Sequence, residues 1–190
     1  MKDDLNLIPL DISYRDKLFE FVISNYLSVS KSNSIYISQE KDVEQDFKKL
    51  SSEEFNKYHY FGLFHKNDIN KEHLIGSIGI CIHINQNNYN KAELTSISVN
   101  KNYRKKGIGS YLIEMAIKKA KYELNLKLLN LIVVDMSVDA VKLYEKFGFT
   151  IKETIFYIVV DDTNRIVTEE DYNKKEESNR FKVYEYELEL

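Results

Sequence analysis

The chain has 190 residues, 43% of them apolar, with a formal net charge of −3 and a single cysteine. That length makes one domain, residues 1–190, with room for a sizeable core to which 14 Tyr and 10 Phe contribute. The charge argues against a nucleic-acid binder that relies on general electrostatics, and one cysteine excludes an internal disulfide. With no charged-then-apolar leader and no apolar run of membrane-spanning length, the expected location is the cytoplasm, off the membrane.

In chain order, Leu5 to Leu10 reads as a first strand closed by Pro9. Asp11 then caps a helix whose apolar stripe is Leu18, Phe19, Val22, Ile23 and Tyr26. A serine-rich connector, Ser28 to Ser34, leads to a second helix from about Gln39, with Val43, Phe47 and Leu50 on one face. Tyr58 to Lys66 and Leu74 to Asn85 read as strands joined by the polar segment Asn67 to Glu72. In the second, Ile78, Ile80, Ile82 and Ile84 alternate with Gly79, Cys81 and His83, the pattern of a half-buried strand. Ala92 to Val99, rich in β-branched residues, is the next strand.

The run Val99-Asn-Lys-Asn-Tyr-Arg104-Lys-Lys-Gly107-Ile-Gly109-Ser-Tyr then combines a strand end, a basic turn with two glycines and the start of an amphipathic helix. Ile108, Leu112, Met115, Ala116 and Ala120 supply the apolar face. The first amides of a helix have no partner within it, and the aligned peptide dipoles add partial positive charge. Gly107 and Gly109 let a ligand approach the backbone, and Arg104, Lys105 and Lys106 add fixed charge beside it. Together they make a cradle for a phosphate or pyrophosphate. The two better-known phosphate loops are absent, since no Gly-x-x-x-x-Gly-Lys-Ser/Thr occurs and position 112 is Leu rather than a third glycine.

Leu128 to Val134 is a short apolar run suited to a buried strand. Ser137 stands as the cap of a helix with Ala140, Leu143, Tyr144 and Phe147 on one face and Gly148 as its stop. The chain then reads as extended through Val160, polar and acidic to about Asn179, and extended again from Phe181 to Leu190. In that last strand Tyr184, Tyr186, Leu188 and Leu190 share one face, with Glu185, Glu187 and Glu189 on the other.

Arg104-Lys-Lys-Gly107-Ile-Gly109 and Ala140-x-x-Leu143-Tyr144-Glu-Lys-Phe-Gly148-Phe149, at this separation, resemble the two signatures of the GNAT superfamily of acetyl-coenzyme A-dependent N-acetyltransferases. The resemblance covers about residues 92–150. It implies an α/β fold with a central mixed, twisted sheet of six to seven strands flanked by about four helices. Two neighbouring parallel strands would splay, here those ending at Val99 and near Val134, and the coenzyme would lie between them. An amide-bearing pantetheine arm can bond to an unpaired strand edge much as another strand would. By resemblance, the backbone of Ile97, Ser98 and Val99 would hold that arm, and the amides of Lys105, Lys106, Gly107, Ile108, Gly109 and Ser110 the pyrophosphate. The partners implied are acetyl-coenzyme A and an amine acceptor, with no metal. Polyamines, amino acids, aminoglycosides and protein amino termini all stay open as acceptors, and so does the oligomeric state, a homodimer included.

The chemistry asks for a proton acceptor, because an amine with a pKa near 10 arrives as an ammonium. By resemblance the candidate is Glu93, six residues before Val99, where many members of the family carry a catalytic carboxylate, acting through water; the other reading is a solvent-facing Glu at a strand start. Tyr144 is the candidate acid for the departing thiolate, in the position where the family directs a tyrosine hydroxyl at the coenzyme sulfur; the other reading is packing alone. Ser137 departs from the asparagine that the family often carries there to contact the coenzyme. A non-catalytic acyl-coenzyme A sensor or partner-binding module is the alternative function. Cys81 reads as a packed strand residue. His59, His65, His73 and His83 have no metal-ligand spacing, and Asp161-Asp-Thr-Asn164 lacks the glycine of a calcium loop. The acidic segment Asp161 to Glu177 is expected to be a solvated loop, with attraction of a cationic acceptor as its lesser reading.

Overall fold

The computed structural model describes residues 4–26, 55, 58–82, 90–160 and 163–190. Among these residues, eight strands form one sheet: β1 (Leu5–Pro9), β2 (Tyr60–His65), β3 (Gly76–Ile82), β4 (Lys91–Val99), β5 (Leu128–Val134), β6 (Thr150–Val160), β7 (Thr163–Val167) and β8 (Arg180–Glu189). Their spatial order is β1-β2-β3-β4-β5-β8-β6-β7, antiparallel throughout except for β4 and β5. The helices among the described residues are α1 (Arg15–Tyr26), α2 (Ile108–Lys118, continued by a π turn to Glu123), α3 (Val138–Lys146) and the short α4 (Glu169–Asn173). The helix expected from Gln39, the serine-rich connector and His83 lie outside the described residues.

Strand alternation builds a core on each face. In β2, Phe61 and Leu63 join the core under α2 and α3, while Tyr60 and Phe64 join Leu18 and Val22 of α1 on the opposite face. Asp11 does cap as expected, accepting from the Ser13 amide at 2.9 Å, but a 3-10 turn, Ile12–Tyr14, comes before α1. At the far end of α3, the Gly148 amide donates to Glu145 and the Phe149 amide to Tyr144, which closes the helix.

Three expectations change. The sheet has eight strands rather than six or seven, because the acidic segment from residue 163 onward forms a strand and a helix rather than a loop. Within it, β7 pairs with β6, and α4 is capped by Thr168, whose hydroxyl accepts from the Asp171 amide. Glu169, Glu170 and Asp171 complement the positive end of α4, and Tyr172 is buried with its ring 5.2 Å from that of Phe156. Finally, Ser137 occupies the N-cap position of α3 through its backbone, but its hydroxyl makes no capping bond.

β4 also carries a bulge. Ser98 pairs with Ser77 but Thr95 pairs with Gly79, so one extra residue is accommodated, and Ser96 takes a left-handed φ of 51°. The bulge shifts side-chain parity. Ala92 and Leu94 before it and Ile97 and Val99 after it all pack into the core under α2. Fully buried Ser77 holds the strained turn by donating its hydroxyl to the Ser96 carbonyl at 2.7 Å.

Candidate functional site

The parallel pairing of β4 with β5 covers only Lys91–Leu128, Ala92–Leu129 and Glu93–Asn130. Beyond that rung β4 continues to Val99 and β5 to Val134, while β5 keeps its other edge on β8 over its whole length. A gap therefore opens between β4 and β5. The Asn100 amide donates to the Ile75 carbonyl at 2.9 Å, so Asn100 and Ile75 form a hydrogen-bonded antiparallel pair. By the alternation of such pairs, Ser98 spends its peptide groups on Ser77, and Val99 turns its own toward the gap.

The gap leads to the basic turn. Gly107 has φ 79°, the left-handed conformation that favours glycine, and sits at the N-cap of α2. The first bond of the helix runs from the Tyr111 amide to the Gly107 carbonyl at 3.0 Å, which leaves Ile108, Gly109 and Ser110 ahead of the intrahelical ladder. A Cβ on Gly109 would come 3.1 Å from Leu143, so this glycine also sets how closely α2 meets α3. Buried Ile108, Leu112, Ile113 and Ala116 anchor α2 on the sheet and fix where its amides point.

The three cations around these amides do different work. Arg104 is half-buried; its Nε donates to the Val99 carbonyl at 3.0 Å and its Nη2 to the Asn25 carbonyl at 2.8 Å. It thus ties the end of α1 to the end of β4 while leaving its charge beside the turn. Lys105, also left-handed at φ 58°, reaches Asp139 of α3 at 3.3 Å. Lys106 donates to the Asn102 carbonyl at 2.8 Å and lies over the Tyr103 ring.

Glu93 stands on the last paired rung, half-buried, opposite Cys81 on one side and Asn130 on the other. Burial pushes the Cys81 thiol up and the Glu93 charge adds to the rise, which keeps it protonated and suits a packing role. Tyr144 is 6% exposed, its ring edge-on to Phe149 at 6.1 Å and tilted to Tyr186 at 6.5 Å. The Tyr186 hydroxyl donates to Glu145 at 3.1 Å, and burial together with that bond pushes its pKa up to about 12. Among the described residues no group of three or more His, Cys, Asp and Glu could hold a metal ion. A concavity of about 400 Å³ lined by His65, Asp68, His73, Asn100 and Tyr103 borders the turn, but no residue from 104 to 110 lines it.

Three residues that no motif marks prove structural here, Asn25, Ser77 and Ser96, and a fourth, Asn130, is buried on the last paired rung. Parity offered one signal for the bulge, since the apolar positions of β4 switch from even (Ala92, Leu94) to odd (Ile97, Val99).

A family model described as the acetyltransferase (GNAT) family matches residues 27–149. Among solved structures, the chain is similar to the ribosomal-protein-S18-alanine N-acetyltransferase from Escherichia coli, at 16% identity and TM-score 0.65, covering 98% of this chain and 94% of that one. It is similar to the spermidine N-acetyltransferase from Vibrio cholerae in complex with CoA and spermine, at 19% identity and TM-score 0.63, covering 98% and 96%. A GNAT-family acetyltransferase from Streptococcus pneumoniae gives 20% identity and TM-score 0.63, covering 98% and 99%. At these identities the likeness is one of fold. No curated protein matches the sequence.

Proposed function

The chain belongs to the GNAT family of acetyltransferases, and from that premise we propose that it transfers the acetyl group of acetyl-coenzyme A to an amine by direct attack in a ternary complex. The observation that carries the reading is the gap between β4 and β5, which runs from Glu93 and Asn130 to the N-terminus of α2. The residues there fit the coenzyme. Val99 offers its amide toward the gap, and Ile97 lies beside it past the bulge. One acceptor direction of the Val99 carbonyl is taken by Arg104, so the amide is the better contact for the pantetheine arm. The amides of Lys105 to Ser110, with the charges of Arg104, Lys105 and Lys106, would hold the pyrophosphate. Bound there, the coenzyme supplies an activated thioester. One domain over residues 1–190 would contain the whole machinery.

Glu93 takes the acceptor's proton through a water, because a carboxylate is too weak a base to remove it directly across the pKa gap. The Tyr144 hydroxyl gives a proton to the departing thiolate, a phenol being a hydrogen-bond donor as well as an acceptor. Ser137, with its hydroxyl outside the α3 cap, is a further contact for the coenzyme. The spermidine N-acetyltransferase of similar fold, whose structure holds CoA and spermine, supports pairing a coenzyme with an amine on this architecture. Cytoplasmic placement accords with a described structure in which no helix is long and apolar enough to cross a membrane.

The test is a screen of amines with acetyl-coenzyme A, monitoring free thiol. Amine-dependent thiol release supports the proposal. Coenzyme binding without release for any amine class would favour a non-catalytic acyl-coenzyme A sensor on the same fold.

A further inference from the structure

The helix that carries Tyr144 is thinly anchored. Of the nine residues of α3 only Tyr144 is buried, and its N-cap makes no side-chain hydrogen bond. Ala140, Val141 and Leu143 are only partly buried against the core. The Lys105–Asp139 pair at its first turn is 82% exposed on both sides and therefore weak. Little in this list stops the helix from turning about its own axis. Beneath it lies Tyr186 of β8, 1% exposed, opposite Leu131 on one side and Ile151 on the other. Its ring meets that of Tyr144 at 6.5 Å, and its hydroxyl reaches the next residue of the helix, donating to Glu145 Oε1 at 3.1 Å. A phenylalanine would fill the same space, so packing does not account for the hydroxyl. Burying a hydroxyl is costly unless a partner is supplied, and the exposed Glu145 supplies a charged one.

We propose that Tyr186 is a positioning residue for the transfer: its bond to Glu145 fixes the rotation of α3, and with it the place of the Tyr144 hydroxyl. The inference rests on the acetyl-transfer reading above, in which that hydroxyl protonates the thiolate. Tyr144 and Glu145 are successive residues, about 100° apart around the helix, so one phenol that touches both sets their bearing on the sheet. The Tyr144 hydroxyl stands at the far end of its side chain, where a small turn of the helix becomes a displacement on the order of an ångström, and misplacement of that size costs up to about 10²-fold in rate. Tyr186 does not itself enter the chemistry. Burial, and then the Glu145 bond, push it up to about 12, so it stays a donor to Glu145 and is a poorer acid than an ordinary phenol.

The experiment compares wild type, Tyr186→Phe, Glu145→Ala, Glu145→Gln, Tyr144→Phe and the double variant of Tyr144→Phe with Tyr186→Phe. Enzyme-dependent thiol release is followed at saturating acetyl-coenzyme A with hydroxylamine, a nucleophile small enough to need no acceptor pocket. Being weakly basic, hydroxylamine also makes departure of the thiolate the slow step. The carbon–nitrogen bond forms, the carbon–sulfur bond breaks to give the hydroxamate and free thiol, and the proton lost from nitrogen restores the phenol. A second readout is the NMR signal of Tyr144 in protein isotope-labelled at tyrosine Cζ, identified by its loss in Tyr144→Phe. Tyr186→Phe and Glu145→Ala should each lower turnover about tenfold, inside the roughly 10²-fold worth of the acid itself, with KM for acetyl-coenzyme A unmoved. Both should shift the Tyr144 signal. Glu145→Gln keeps an oxygen acceptor and should stay near wild type in both readouts. Adding Tyr186→Phe to Tyr144→Phe should cost nothing further, because the hydroxyl being placed is gone. Should Tyr186→Phe not fold, Glu145→Ala makes the same test at an exposed residue. Unchanged turnover in Tyr186→Phe or Glu145→Ala, an equal loss with and without the Tyr144 hydroxyl, or a Glu145→Gln as impaired as Glu145→Ala would each overturn the proposal. Wild-type turnover in Tyr144→Phe, or no enzyme-dependent thiol release by wild type, would instead sink the acetyl-transfer reading, and this inference with it.

Discussion

Tyr144 has a ring that core packing explains in full, between Phe149 and Tyr186, so any chemistry at this position belongs to its hydroxyl. Tyr144→Phe keeps the ring, and turnover at saturating substrates should fall about 10²-fold with little change in melting, because a thiolate needs only modest help from an acid. Wild-type turnover with chemistry rate-limiting would reduce Tyr144 to packing. Tyr144→Ala should destabilise by about 3–5 kcal/mol, by analogy with other large aromatic deletions. At Glu93, the Gln variant should lose about 10²–10⁴-fold in turnover at neutral pH. Part of it should return at high pH, where more acceptor is already neutral, and a pH-independent, unchanged rate would rule out a base there. Tyr186 carries a pH signature in stability. Its pKa is raised in the fold from 10 to about 12, so the protonated form is favoured by folding. That contribution is complete below pH 10 and is lost as the pH rises toward 12. Alkaline melts of wild type should decline over this window and those of Tyr186→Phe should be flatter; identical slopes would remove the assignment. Glu93 and Tyr144 are candidates because the family's motifs, matched residue by residue, point to those positions. Asn25, Ser77 and Asn130 could not be read from the chain, because a polar side chain in an apolar stretch shows its partners, or lack of them, only after distant elements meet.

The basic turn and α2 work as one element whose aim is set from outside. Arg104 joins the Val99 carbonyl to the Asn25 carbonyl through two different guanidinium nitrogens, so α1, β4 and the turn share one clamp. Lysine presents a single ammonium and cannot reproduce that fork. Arg104→Lys and Arg104→Leu should both weaken acetyl-coenzyme A binding, and the leucine variant should cost stability of about 2–3 kcal/mol for a lost charge-assisted bond. Calorimetric titration and denaturant melts would check this; an Arg104→Lys protein with native coenzyme affinity would show the clamp to be dispensable. The acidic segment teaches a second lesson at this scale. Its charges suggested a solvated loop, yet Thr168 to Asp171 is a helix start whose three acids face the favourable end of the dipole. Tyr172 then pins α4 against Phe156, with the Arg180 guanidinium 4.6 Å from its ring. Composition registered the acids and missed the cap and the anchor.

For the whole molecule, ligand linkage makes the simplest prediction. Acetyl-coenzyme A at about 100 times its dissociation constant should add about 2.7 kcal/mol to stability. A domain of this size gains about 2–4 °C per kcal/mol, so the melting shift should be readily measured. A well-folded sample with no shift at millimolar acetyl-coenzyme A would remove the basis of the proposed function. The chain by itself determined the two glycine-containing signatures, the helix that opens at Ile108 and the strand from Leu128 to Val134. All of these are local: spacing, periodicity and capping act within a few residues, so they are written in the order of the side chains. Tertiary structure alone decided that β4 and β5 part after the rung of Glu93 and Asn130, and that a bulge at Ser96 returns Ile97 and Val99 to the core. It also decided that Arg104 spends two of its donors on backbone carbonyls, and that Asn130 is buried beside the proposed base with its Oδ1 lacking a donor among the described residues. Each depends on which strand edge meets which, and hydrogen-bond partners across a sheet are chosen by segments far apart in sequence, whose register no local pattern records.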